Sequence, residues 1–244
     1  MSLFDRALVP LPELPELFDW QGISCRLTRG MLPSVIVALL PRQEIEINPA
    51  ALLWKDEAAT LRSEMAGVVI VRGPARIGLS LGVVGQAFPM PVLPGDAVQV
   101  RAGHFLFSVG AERRSGQIRG LADRIRGGNG ASFDSFRAGE YGATVWVQSA
   151  GGVLERSLAD GEALDVRPEA FLVKDDSVGL ETLISGEGGD TRSVVWPCLR
   201  LTGPGRVAVQ SGQVSVTETS APAAEAAPHR ARMFGIEFPL RGKR

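Results

Sequence analysis

Imidazole is nearly absent from this sequence, which contains only His104 and His229. A cupin-like metal centre needs two or three imidazoles converging with a carboxylate on one ion, so that chemistry is not expected, and no metal or other cofactor is assigned. Thiols are as scarce. Cys25 and Cys198 stand far apart, each alone in its neighbourhood, which fits buried or idle thiols and not a disulfide framework. No G-x-S-x-G elbow occurs, and a Ser or Cys triad would have to use His104 with nothing nearby in sequence to orient it. The glycine-rich pieces SGEGGD and RGGNG lack the lysine and the strand-to-helix setting of a phosphate loop. No catalytic residue is therefore assigned, and the chain is not expected to be an enzyme.

Other absences bear on partners and location. Aromatics make up 6% of the chain, with one tyrosine, and most sit in apolar runs (Trp54, Phe105, Phe107, Phe171). Single-strand nucleic-acid readers instead interleave exposed aromatics with basic residues, so nucleic acid is not the expected partner. Lys and Arg (26) balance Asp and Glu (27), leaving no bulk field toward polyanions or anionic lipid. No run of about 18 apolar residues is present, and the opening MSLFDRALVPLPELPELF lacks the succession of a signal peptide. The expectation is a cytoplasmic protein, with peripheral membrane contact left open.

What the sequence does have is self-similarity. Aligned without gaps, Gln43–Glu57 and Glu162–Asp176 share Pro49/Pro168, Ala51/Ala170, Leu53/Leu172, Lys55/Lys174 and Asp56/Asp175. A third copy lies between them, where GDAVQVRAGHFLF (95–107) matches GEALDVRPEAFLV (161–173) at six positions. A second motif follows each first one: GPARIGLSLG (73–82), GATVWVQSAG (142–151) and GPGRVAVQSG (203–212). The chain thus reads A, B, A, B, A, B, and each repeat is expected to be a supersecondary unit that cannot bury its own apolar face. Three units are few for a solenoid, so a closed pseudo-threefold arrangement is expected.

Both motifs alternate at the strand period: EIEI, AVQV, LDV, TVWVQ and RVAV place apolar residues at every second position. LPGD and LADGE read as tight turns. The following ALLW, HFLF and AFLV are continuously apolar, as for strands covered on both sides. The fold class expected is all-β, a sandwich or barrel of three internal repeats over 39–216. Glu112–Gly130 departs from the pattern: Ile118, Leu121 and Ile125 fall at helical spacing among five arginines and two acids, predicting one short amphipathic helix near 116–127. Residues 1–38 are expected to be irregular. Residues 217–244 read as an Ala/Pro linker with a tail in which Phe234, Ile236, Phe238 and Leu240 alternate as in a docking strand.

The stretches GDAVQVRAGHFLF, GLADRIRGGNGASFDSF, GATVWVQSAGG, GEALDVRPEAFLVKDD and LTGPGRVAVQSG, which span most of 43–212, resemble the altered-inheritance-of-mitochondria (mitochondrial biogenesis) family. The resemblance implies a double-stranded β-helix type of fold, like that of the tryptophan RNA-binding attenuator protein, and assembly into homo-oligomers, with a trimer or larger ring in view. The segment before Leu39 and the tail after Ser215 have no counterpart in it.

Three functions are weighed on these grounds. The first is a non-catalytic homo-oligomeric scaffold or adaptor that presents a surface to a protein partner or membrane, with Arg113, Arg114, Ile118, Arg119, Leu121, Arg124, Ile125 and Arg126 as the candidate surface. Against it stands a packed apolar triplet with solvated or paired arginines. The second is a small-molecule binder or enzyme that uses the barrel interior, which a core filled by Leu53, Phe105, Leu106, Phe171 and Leu172 would oppose. RNA binding is the third. Asp56/Glu57 and Asp175/Asp176, recurring at one repeat position, read as solvated strand ends and not as general acids or bases. His104 stands where the sister copies have Ala51 and Ala170, so it reads as a structural imidazole.

Overall fold

The period-two alternation is realised throughout as antiparallel ladders. The computed structural model describes residues 9–10, 17–28, 30–63, 69–117, 132–185, 196–212, 231–233 and 236–238. Three strands lead the chain: β1 (Val9–Pro10), β2 (Leu17–Trp20) and β3 (Ile23–Thr28). A first group of six follows, β4 (Ser34–Leu39), β5 (Glu44–Ile47), β6 (Leu52–Lys55), β7 (Thr60–Ser63), β8 (Val69–Arg72) and β9 (Ala75–Leu79). The next is β10 (Gly85–Val92), β11 (Ala97–Arg101), β12 (Phe105–Val109), β13 (Ala111–Gln117), β14 (Ser132–Ala138) and β15 (Ala143–Ala150). The last is β16 (Val153–Leu158), β17 (Ala163–Val166), β18 (Phe171–Asp175), β19 (Gly179–Ser185), β20 (Trp196–Thr202) and β21 (Gly205–Gln210).

Within each group the first strand pairs with the sixth, the second with the fifth, the third with the sixth and the fourth with the fifth. The third strand also shifts register by one residue against the sixth in every group, at Leu53, Leu106 and Leu172. An extra residue there bends the strand and sends successive side chains into different cores. Phe105 joins the second core while Leu106 and Phe107 join the first. Likewise Phe171 joins the third core, and Leu172 and Val173 the second.

The groups are joined by two further antiparallel pairs. β12 lies against β5, with Phe107 opposite Ile47 and Ser108 opposite Glu46. β18 lies against β11, with Val173 opposite Val100, Lys174 opposite Gln99 and Asp175 opposite Val98. A glycine opens the closing turn of the first and last groups because backbone passes close by: a Cβ on Gly73 would meet the Leu40 carbonyl at 2.3 Å, and one on Gly203 the Ala159 carbonyl at 2.2 Å.

Several expectations need correction. Within residues 1–38, expected to be irregular, residues 17–20, 23–28 and 34–38 lie on β2, β3 and β4, which pair in that order and continue onto β9. Ile23, Cys25, Val35 and Val37 from this stretch are core residues, so its alternation and not its prolines decides the structure. Of the helix expected near 116–127, residues 116 and 117 belong to strand β13, and the remainder lies outside the described residues. Among the described residues β6 and β17 do not pair with each other. The ALLW stretch is not covered on both sides: Leu53 is 59% exposed and Trp54 42%. Residues 215–244 form a separate unit, in which β22 (Ala231–Met233) pairs with β23 (Ile236–Phe238).

Candidate functional site

Of the arginine-rich surface, only Arg113 and Arg114 fall among the described side chains. Arg113 is turned inward. Its guanidinium lies 5.1 Å from the Phe105 ring centroid and 6.0 Å from that of Phe136, donates to Asp134 Oδ2 at 2.8 Å, and has Glu46 Oε1 at 3.7 Å. Two carboxylates and two aromatic faces hold one cation, and because Glu46 belongs to β5 the cluster ties the first group to the second. Arg114 is exposed and pairs with Glu112 at 3.1 Å. Ile118, Arg119, Leu121, Arg124, Ile125 and Arg126 lie outside the described residues. So do Phe234 and Leu240, while Ile236 and Phe238 lie on β23 with no described side chain.

The titratable groups inside the described cores are held in structural roles. His104 is buried, with Nδ1 2.7 Å from the Gln148 carbonyl. Burial pushes its pKa below the usual imidazole range, outweighing the bond to that carbonyl. Cys25 and Cys198 are free and buried, and burial pushes the Cys25 thiol up to about 12, so no thiolate nucleophile forms there near neutral pH. Lys174 is buried too, its Nζ donating to the Val178 carbonyl at 2.6 Å. Lys55 repeats that contact with the Ala59 carbonyl at 3.2 Å. The acids beside these lysines do more than face solvent. Asp56 Oδ2 accepts from Arg76 N and Nε, both at 3.1 Å, and Asp175 Oδ2 from Arg206 N and Nε at 2.7 and 3.2 Å. No group of three His, Cys, Asp or Glu able to hold a metal occurs among the described residues.

A groove of about 650 Å³ opens where the second and third groups meet, lined by Leu93, Asp96, Arg137, Asp175, Asp176 and Arg206. Its polar groups hold the two groups together. Arg206 Nη2 donates to the Pro91 carbonyl at 3.0 Å and Gln99 Nε2 to Asp176 Oδ1 at 2.7 Å across the junction, while Arg137 Nη1 donates within the second group to the Gly95 carbonyl at 2.8 Å. Nothing in it resembles a nucleophile beside a base.

The feature that stands out is a pair of half-used strands. Among the described residues β12 and β18 are each paired on both sides and are buried along most of their length, whereas β6 has β9 on one side only. Among them β5 and β11 are also paired on both sides, whereas β17 has only β20. A strand with one free side presents unpaired N–H and C=O groups as a template for another strand. Here that backbone adjoins apolar side chains, Leu53 and Trp54 on β6 and the half-buried Leu164 on β17. Sequence reasoning missed the site because the motif ALLW looks as buried as AFLV, and only the ladder order reveals which copy lacks a neighbour.

No protein-family model matches the chain, and no curated protein matches it. Among solved structures it is similar to the X-ray structure of protein SPYM3_0169 from Streptococcus pyogenes, a structural-genomics target, with a TM-score of 0.62 at 15% identity over 78% of this chain and 94% of that one. That likeness defines the class at the level of fold, an all-β protein of several antiparallel sheets. No helix among the described residues is long and apolar enough to cross a membrane.

Proposed function

We propose that the chain is a non-catalytic homo-oligomeric β scaffold or adaptor, built from three copies of one double-stranded β-helix type unit, which organises a protein partner or a membrane surface in the cytoplasm. The three-copy reading is supported by the recurrence of four strand pairings and one register shift in each group. It agrees with the resemblance to the altered-inheritance-of-mitochondria family and to the attenuator-protein fold. The observation that carries the homo-oligomer is the exposed apolar edge of β6, at the position where β12 and β18 are sealed. The barrel-interior reading, a small-molecule binder or enzyme, is opposed by Phe105, Leu106, Phe171 and Leu172, all at most 1% exposed. RNA binding draws little support from a described surface whose large exposed aromatics are Trp54 and Tyr141.

Sedimentation velocity on the full chain tests the proposal. A mass that is a multiple of the monomer and falls on dilution is expected, and a monomer at every concentration would refute it. Recovery of the intact assembly from cells then identifies what it carries.

A further inference from the structure

The two contacts that join the groups have one register. In the gapless alignment of the A motifs, Trp54 falls with Phe107 and Val173, Lys55 with Ser108 and Lys174, and Val166 with Ile47 and Val100. The contact made between β12 and β5, and again between β18 and β11, therefore has a third member written in the sequence: Trp54 opposite Val166, Lys55 opposite Asp165 and Asp56 opposite Leu164. In the single chain those residues lie on β6 and β17, which are not paired with each other.

We infer that a second copy of the chain completes it, with β17 of one protomer adding antiparallel to β6 of the next, head to tail, in that register. This rests on the homo-oligomer reading above and specifies its interface. Four features support it. Leu106 and Phe107 enter the core of the group before their own, as do Leu172 and Val173. Leu53 and Trp54 have the same positions with no such core to enter, while the third core receives no such pair from a following group. In that register Lys55 lies opposite Asp165, so no like charges meet there; Asp165 is also held by Arg200 Nε and Nη2 at 2.8 Å within its own chain. An equivalent residue at the C-terminal end of each sealed second strand also reaches across to the next group, Asn48 Nδ2 donating to the Phe105 carbonyl at 2.9 Å and Arg101 Nη1 to the Pro168 carbonyl at 2.8 Å. Arg167 holds that place after β17 and is exposed; across the new junction its counterpart acceptors are the carbonyls of Leu52 and Pro49.

The outer strands of the three groups do not share these properties. The free side of β10 carries Pro89 and Pro91, which have no N–H to offer, whereas β6 and β17 contain no proline. β7, β13 and β19 are outer strands in all three groups alike, so none lacks a partner that its counterparts have. Each chain offers one β6 edge and one β17 edge, a heterologous contact that propagates into a ring or a filament.

The test mixes full chains carrying Trp54→Cys with full chains carrying Val166→Cys under mild oxidation. Opposed residues in an antiparallel pair lie about 4.5–5.5 Å apart at Cα, within disulfide reach, and the native thiols are buried. A covalent dimer that forms in the mixture, and not in either variant alone, is expected. In a chain with both substitutions, a ladder of covalent multimers is expected, and an internal disulfide in a monomer would overturn the inference in favour of closure of the chain on itself. Failure to cross-link while the wild-type chain sediments as an oligomer overturns this interface and leaves the homo-oligomer reading standing. A wild-type monomer at all concentrations overturns both. Lys55→Asp and Asp165→Lys provide the second arm. Each alone places like charges opposite and should weaken assembly roughly tenfold, while an equal mixture restores opposite charges at every junction and wild-type assembly. A mixture no better than its components would overturn the register.

Discussion

His104 shows how one side chain binds the sandwich to a pH. In the folded chain it is neutral and hydrogen-bonded to the Gln148 carbonyl, and burial holds its pKa below that of the unfolded chain, which is about 6.5. The folded state therefore resists the proton that the unfolded state accepts, and stability is fully present above about pH 6.5 and declines as the pH falls below it. Thermal unfolding from pH 7.5 to 5 should show that decline, and His104→Gln should flatten it. Arg113 is the contrary case for reading sequence. Its local pattern, a basic run after a strand, suggests a surface, yet its partners Glu46 and Asp134 are remote in sequence or across a hairpin. Removing this half-buried cation strands its carboxylates, so Arg113→Ala should cost about 3 kcal/mol in urea unfolding. Arg114→Ala, on a solvent-facing pair, should change stability by less than about 0.5 kcal/mol.

At the scale of strands, equivalent leucines should have unequal worth. Leu106 and Leu172 are fully buried while Leu53 is mostly exposed, though all three occupy the register shift of a third strand. Truncating a buried leucine costs about 2–5 kcal/mol and an exposed one little. Leu106→Ala and Leu172→Ala should therefore each lose that much in urea unfolding, and Leu53→Ala about 0.5 kcal/mol or less when measured on dilute chain. Much of this level was legible in the sequence. EIEI, AVQV and LDV alternate because one face of each strand meets a core, and HFLF and AFLV are continuously apolar because β12 and β18 separate two cores. What was not legible lies at the start of the chain. Ile23–Thr28 and Ser34–Leu39 alternate as clearly as the motifs do and pair with each other, with β9 as the long-range partner of the second, but the prolines before them argued for irregular chain.

Among the described residues, three groups joined in series leave one strand unsealed at either end of the series, β6 and β17. The sequence suggested that such a body would close on itself, because repeats inform on the unit and say little about the angle between units. In the assembly proposed above, strand addition joins these ends, main-chain bonds providing affinity and side chains such as Trp54, Lys55 and Asp165 providing register. Amide hydrogen exchange tests this most directly, since an amide in a sealed ladder exchanges slowly and one on a free edge quickly. At assembling concentration, the amides of 52–57 and 163–167 should be protected as strongly as those of β12 and β11, and that protection should disappear on dilution while β12 and β11 keep theirs. Fast exchange in 52–57 and 163–167 at every concentration, in a chain that sediments as an oligomer, would contradict the account.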